Sequence, residues 1–239
     1  MDPDRRLLVA CLDLTALGDD ETESSLRALC AQAARPLEND RELHVAAVCV
    51  WPRAVPIVRE LLVGSRVRVA AATGGFPGPD APIADRAREI RGAVDAGADE
   101  VDVPVNRFLV DEPDALAGEL RVTREAAGTA TWKAILETGA LQPDEISIIG
   151  RAAIDEGADF LKTSTGKGPP GATPAAVETI ARLAEATGRP VGIKVSGGVR
   201  GAGQAHSYLT LVQDVLGHAW PTPSTFRIGA STLLETLLA

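Results

Sequence analysis

The chain has 239 residues, 45% hydrophobic and 24% charged, which supplies a sizeable core and excludes global disorder. Its uncharged apolar runs, such as 44–52, fall well short of the roughly 20 residues a membrane helix needs. A net charge of −9 with four Phe, three Trp and one Tyr, and no basic run, excludes nucleic acid and anionic membrane as partners.

In chain order, residues 1–6 carry no apolar h-region, so no secretory leader is expected and little precedes the first strand. Short Val/Ala/Ile-rich runs then alternate with longer segments of helical spacing. Strands are expected at 7–14, 44–50, 67–72, 99–104, 131–137, 159–163, 190–195 and 225–229. Helices are expected at 21–34, 53–63, 80–96, 114–127, 143–156, 174–187, 202–216 and 231–238. Asp20-Glu21-Thr22 opens the first of these, and Thr173-Pro174 reads as an N-cap followed by proline in the first turn. Gly97, Gly157 and Gly188 sit just past helix ends. Eight strand–helix units without a linker define the fold class: α/β, one (β/α)8 barrel domain spanning 1–239. A doubly wound open sheet is the alternative, but no G-x-G-x-x-G follows the first strand. Three cysteines, Cys11, Cys30 and Cys49, with no close pair fit a reducing cytoplasm.

Basic residues are unevenly chosen. Of 24, only Lys133, Lys162, Lys167 and Lys194 are lysine, and the rest are arginine. Arg keeps its proton at any accessible pH, whereas a crowded or buried Lys gives it up. Strand parity then sorts the side chains. Leu12, Leu14, Val101, Val103, Trp132, Ala134, Leu136, Leu161, Val191, Ile193 and Val195 belong under the helices. That turns Cys11, Asp13, Asp102, Lys133, Glu137, Phe160, Lys162 and Lys194 into the lumen. Buried charge costs several kcal/mol unless paired or neutralised. Internal pairs such as Lys133–Glu137 or Lys194–Asp102 are one explanation, but such pairs add little net stability. Catalysis explains the density better.

A lysine pair suits imine chemistry. At pH 7 only about one free lysine in 2,500 is neutral, and a second cation plus desolvation raises that fraction. An inward carboxylate such as Asp102 can shuttle protons. Spacing does not decide which lysine attacks. This chemistry needs no cofactor and no metal. His44, His206 and His218 are too scattered for a zinc or iron site, although Mg²⁺ on carboxylates stays open. Cys49, closing the second strand, is a possible nucleophile or substrate contact, but with no histidine partner it reads better as a small buried residue. Glycine-rich segments follow the last three strands: Thr165-Gly166-Lys167-Gly168, Ser196-Gly197-Gly198-Val199-Arg200 and Gly229-Ala230-Ser231-Thr232. They occupy the place where a barrel holds a phosphate, so the expected partner is a small phosphorylated carbonyl compound.

The segment Asp159-Phe160-Leu161-Lys162-Thr163-Ser164-Thr165-Gly166-Lys167 resembles the Schiff-base segment of the 2-deoxyribose-5-phosphate aldolase family, class I aldolases with a (β/α)8 fold. The resemblance runs in order through Leu12–Thr15, Ala98–Val103, Lys133–Thr138, Gly192–Arg200 and Phe226–Ser231. It implies that Lys162 forms the imine, Lys194 lowers its pKa, Asp102 transfers protons and Asp13 supports the polar network, to which the inward Lys133 and Glu137 are expected to add. Gly166, Lys167, Gly197, Gly198, Gly229 and Ser231, with Thr165, would place the substrate phosphate. Cleavage of 2-deoxy-D-ribose 5-phosphate to D-glyceraldehyde 3-phosphate and acetaldehyde in the cytoplasm, by a homo-oligomer with a dimer favoured, is the implied function. Another Schiff-base lyase or transaldolase, or a barrel that only binds a sugar phosphate, is the alternative. Val195, Gly201 and Gly75 depart from common family residues. The chain also lacks the longer tail whose terminal Tyr assists proton transfer in some members, which bears on turnover rate more than on reaction type. Trp51 and Trp220 are possible interface residues, though partial burial is the more common outcome.

Overall fold

The computed structural model describes residues 1–37, 39–168 and 170–239. Eight parallel strands close in sequence order into a barrel: β1 (Leu12–Thr15), β2 (Ala47–Val50), β3 (Arg68–Ala72), β4 (Glu100–Pro104), β5 (Thr131–Ile135), β6 (Phe160–Lys162), β7 (Gly192–Ser196) and β8 (Phe226–Ala230). Around them lie α1 (Pro3–Ala10), α2 (Glu23–Ala34), α3 (Val55–Leu61), α4 (Ile83–Asp95), α5 (Pro113–Ala127), α6 (Pro143–Asp155), α7 (Pro174–Thr187), α8 (Ala202–Leu216) and α9 (Leu233–Leu238). None of these helices is long and apolar enough to cross a membrane.

The alternation read from the sequence separates two layers. Leu12, Leu14, Val101, Val103, Trp132, Ala134, Leu136, Leu161, Val191, Ile193 and Val195 all join one large cluster with the inner faces of the helices. Each such aliphatic side chain contributes on the order of 1.5–3 kcal/mol by leaving water. α6 shows how a helix is cut to fit. Pro143 and the Gln142–Glu145 capping box start it, and Ile146, Ile149, Ala153 and Ile154 supply the buried stripe. The repeated Ala-Gly-Ala-Asp phrases work alike: Gly97 and Gly157 follow α4 and α6 with φ of 106° and 92°, a region open to glycine. Asp99 and Asp159 then accept the backbone N–H of Val69 and Trp132, at 2.9 and 2.8 Å.

Several element boundaries differ from the expectation. The apolar run Leu7–Ala10, read as the start of strand 1, is the last part of α1, so a helix does precede the barrel. Asp2 caps it by accepting from Arg5 N at 2.9 Å, and Pro3 fills its first turn. Leu8 and Val9 are buried by it. Cys11 is consequently the C-cap of α1 and belongs to the large outer cluster, not to the lumen. β5 stops at Ile135, and Glu137 adopts a left-handed φ of 57°.

Candidate active site

The register of β4 to β8 sets the site. Asp102 is the partner of Lys133, Lys162 of Lys194, and Lys194 of Arg227. All of these side chains are buried, as are Asp13 and Glu100. Asp102 stands at the centre: one carboxylate oxygen accepts from Lys133 Nζ at 2.9 Å, the other from Lys162 Nζ at 2.7 Å and Lys194 Nζ at 2.6 Å. Lys194 also pairs with Asp13 at 2.6 Å. The Lys194–Asp102 pair weighed from the sequence is thus present. Lys133 instead pairs with Glu100 at 2.5 Å, and Glu137 turns away from it. Glu137 is half-buried, and its carboxylate accepts from the Thr165 hydroxyl at 2.6 Å and the Thr165 N–H at 3.2 Å, holding the loop after β6.

The three lumen lysines are electrostatically unequal. Burial, reinforced by neighbouring Lys194, outweighs the attraction of Asp102 and pulls Lys162 below the ordinary lysine value. Burial acts the same way on Lys194, but Asp102 and Asp13 together overcome it and hold that ammonium above the usual range. Lys133 is raised for the same reason, with Asp102, Asp13 and Glu100 around it. Asp102 itself is kept far below the carboxylate range, the three ammonium groups outweighing its desolvation.

A cavity of about 330 Å³ opens at the carboxyl ends of β1, β6, β7 and β8, lined among others by Thr15, Lys162, Ser196, Arg200 and Ser231. Of the lumen lysines, Lys162 alone reaches it. Thr165, Gly166, Lys167, Gly197, Gly198 and Gly229 line it too, whereas Asp13, Cys49, Asp102, Lys133, Glu137 and Lys194 lie outside the lining. Cys49 sits on β2 with its sulfur 4.0 Å from Asp102 Oδ2, and burial pushes its thiol up to about 11. Lys167 Nζ donates to the Leu17 carbonyl at 2.9 Å, tying the loop after β6 to the loop after β1. Two glycines are required by close approach. A Cβ on Gly171 would lie 2.1 Å from the Gly197 carbonyl oxygen, where the loops after β6 and β7 touch. A Cβ on Gly229 would meet Lys194 Cε at 2.9 Å, so this glycine makes room for the lysine as well as lining the cavity.

Sequence reading passed over Glu100, Arg227 and Phe76 as contributors, and weighed Trp51 only for an interface or partial burial. Glu100 and Arg227 face the lumen by the same alternation that selects Asp102 and Lys194. Phe76 places its ring 5.8 Å from Lys162 Nζ, and Trp51 packs edge-on against it at 5.6 Å. Trp51 is half-buried and donates its indole N–H to the Gly18 carbonyl at 3.1 Å. These aromatics come from loops, whose path no periodicity encodes. Among the described residues no cluster of three or more His, Cys, Asp or Glu side chains is placed to hold a metal ion.

A cavity at the carboxyl ends of the strands, with a buried lysine opening into its glycine-rich mouth, is where a (β/α)8 barrel enzyme carries its active site. The model of the DeoC/LacD family aldolases matches residues 7–238, and the chain belongs to that family. Solved structures agree. A candidate deoxyribose-phosphate aldolase from Coccidioides immitis is 28% identical with a TM-score of 0.84, covering 99% of this chain and 86% of its own. One from Toxoplasma gondii ME49, without ligand, is 30% identical with a TM-score of 0.83, covering 98% and 94%. The deoxyribose phosphate aldolase of Aeropyrum pernix, described as a unique tetramer, is 26% identical with a TM-score of 0.77, covering 98% and 91%.

Proposed function

We propose that this aldolase reversibly cleaves 2-deoxy-D-ribose 5-phosphate into D-glyceraldehyde 3-phosphate and acetaldehyde through an imine on Lys162. One observation carries the reading. Lys162 is the only lumen lysine that lines the cavity, and its amine lies 2.7 Å from Asp102, a carboxylate it shares with the firmly charged Lys194. The neutral Lys162 amine attacks C1 of the open-chain sugar to give a carbinolamine. Loss of water, with the hydroxyl leaving as it takes a proton, yields the protonated imine. The C3 hydroxyl gives up its proton and the C2–C3 bond breaks, releasing D-glyceraldehyde 3-phosphate while its electron pair moves toward the imine nitrogen. The resulting enamine takes a proton at C2, and water then frees acetaldehyde and Lys162. Asp102, held ionised, and Lys194, held protonated, are the proton carriers within reach of Lys162. Asp13 and Lys133 keep that pair in place.

The phosphate goes to the far side of the cavity. There Gly166, Gly197, Gly198, Gly229 and Ser231 offer close backbone approach, and Lys167 and Arg200 supply positive charge. The cavity volume sits at the low end of small-molecule sites, which suits a five-carbon sugar phosphate. The names of the Coccidioides and Toxoplasma relatives support the same substrate. The whole of 1–239 then serves as one barrel domain, in the cytoplasm, in the breakdown of deoxynucleosides, as a homo-oligomer with a dimer as the first expectation.

Reductive trapping tests this. Protein incubated with acetaldehyde and borohydride is digested, and the modified lysine is located by mass spectrometry. A stable aldehyde-dependent adduct on Lys162 is expected. An adduct confined to Lys194 would reverse the two lysines' roles, and no adduct on any lysine would overturn the imine mechanism.

A further inference from the structure

Below the reacting amine, the base of the lumen carries a second set of buried charges that the chemistry above does not use. Arg227 on β8 bonds to Asp13 Oδ1 at 2.5 Å and to the two oxygens of Glu100 at 2.8 and 3.1 Å. Its guanidinium lies 5.5 Å from the Phe160 ring. Glu100 on β4 also pairs with Lys133 at 2.5 Å and more loosely with the exposed Arg68 at 3.7 Å. Neither Glu100 nor Arg227 lines the cavity, and neither pairs with Lys162.

Among the described residues, the buried lumen holds four cationic side chains, Lys133, Lys162, Lys194 and Arg227, against three carboxylates, Asp13, Glu100 and Asp102. One positive charge is in excess among buried groups, so the cation with the weakest support sheds its proton. Arg227 cannot. Lys133 contacts three carboxylates and Lys194 two, but Lys162 contacts Asp102 alone. We propose that Glu100 and Arg227 are positioning residues that set the protonation of Lys162 by fixing the charge count of the lumen, acting through Lys133, Asp13 and Asp102. The inference rests on Lys162 being the reacting amine. The groups facing Lys162 are Asp102 from β4, Lys194 from β7, the Cys49 thiol from β2 and the Phe76 ring from the loop after β3, with Lys133 of β5 beyond Asp102. The groups facing the Glu100–Arg227 pair are Asp13 from β1, Arg68 from β3, Lys133 from β5 and Phe160 from β6. The order in which burial and partners leave these cations agrees: Lys162 low, Lys133, Lys194 and Arg227 high.

The signs are opposite for the two residues, and a merely structural role does not give that. Removing an anion makes a charged Lys162 costlier, so the neutral amine appears at lower pH. Removing a cation does the reverse. The experiment follows the rate of acetaldehyde trapping by borohydride at Lys162 against pH in the full chain. In E100Q the midpoint should fall by roughly one pH unit, and in R227M it should rise by about as much. One pH unit below the wild-type midpoint, E100Q then traps about fivefold faster and R227M about tenfold slower. The double variant E100Q/R227M loses one charge of each sign and should return close to the wild-type midpoint, as should R227K. Circular dichroism identifies any variant that does not fold, and if R227M is one, E100Q and the double variant decide. Unmoved midpoints, or shifts of the same sign in E100Q and R227M, would overturn the charge-count inference while leaving the imine intact. Absence of a Lys162 adduct in the wild type at every pH would instead overturn the proposed function beneath it.

Discussion

Two walls face each other across one lumen. On β2 and β3 the inward residues are Ala47, Cys49, Ala70 and Ala72, all fully buried. On β4 to β8 the inward residues include Glu100, Asp102, Lys133, Lys162, Lys194 and Arg227, with Ile135 and Phe160 beside them. Both walls lie on strands of the same barrel, and the outer faces of both carry similar aliphatic residues. The difference is therefore not one of fold. The small wall offers no hydrogen-bond donor or acceptor beyond one thiol, so the charges opposite must satisfy one another. In so dry a setting, adding or removing a single charge changes the protonation of its neighbours by more than it would in water. A lumen filled by branched aliphatics would be as stable or more so, which is why the charged wall is better read as chemistry than as architecture.

The largest effect should come from removing a charge beside the amine. Lys194→Met deletes the cation that pushes on Lys162 and leaves Asp102 with one ammonium fewer, so Lys162 binds its proton more tightly and less neutral amine exists at pH 7. Activity toward 2-deoxyribose 5-phosphate, as kcat/KM at pH 7, should fall by about 10²–10³. The sign is specific: the acid limb of the profile moves to higher pH, and part of the loss is recovered by raising the pH. Steady-state cleavage measured from pH 6 to 10 checks it. A fall of the same size at every pH would mean that Lys194 acts only by carrying protons, and the balance between the walls would not govern Lys162.

How much of this was legible before the structure depends on which physical signal each residue leaves. Alternation along a strand is a strong one, and it turned Asp13, Asp102, Lys133, Lys162 and Lys194 inward without a contact being known. It applies equally to Glu100, two residues before Asp102, and to Arg227, between the outward Phe226 and Ile228. Those two bond to other charges and do not line the cavity, so parity alone marks them. The run Leu7–Ala10 misled because four apolar residues fit a strand or a short helix equally, and the Asp2 cap with Pro3 decided for the helix. Glu137 continues the parity of β5 on paper, but the strand ends two residues earlier, and its left-handed backbone sends the carboxylate to Thr165. Phe76 and Trp51 stand over the lysines by virtue of loop paths. Those paths depend on contacts distant in sequence, such as the indole bond to Gly18, and leave no local pattern.

A middle-sized effect is expected from crowding the small wall. Ala70 is fully buried and pairs in register with Cys49 on one side and Glu100 on the other. Ala70→Leu would force three additional carbons into a filled lumen, at a cost of about 1–3 kcal/mol. For a chain of 239 residues that is a drop in Tm of about 2–12 °C, read by a thermal scan at fixed rate. A Tm equal to wild type would mean that the small wall borders unused space, and its alanines would then need an explanation other than packing against the charged wall.

The smallest effect should come from Cys49→Ala, which truncates the one polarizable group on the small wall. Its thiol, pushed up to about 11 by burial, is neutral at pH 7 and contributes nothing to the lumen's charge count. Losing one buried sulfur leaves a small void, so stability should decline by about 1 kcal/mol in urea unfolding. The pH midpoint of Lys162 trapping should stay where it is. The contrast with Lys194→Met is the point of the pair, because both side chains are buried beside Asp102 and only one of them carries charge. If Cys49→Ala moved the midpoint as well, the thiol would have to act on the amine through Asp102. The small wall would then take part in the charge balance it has been set against.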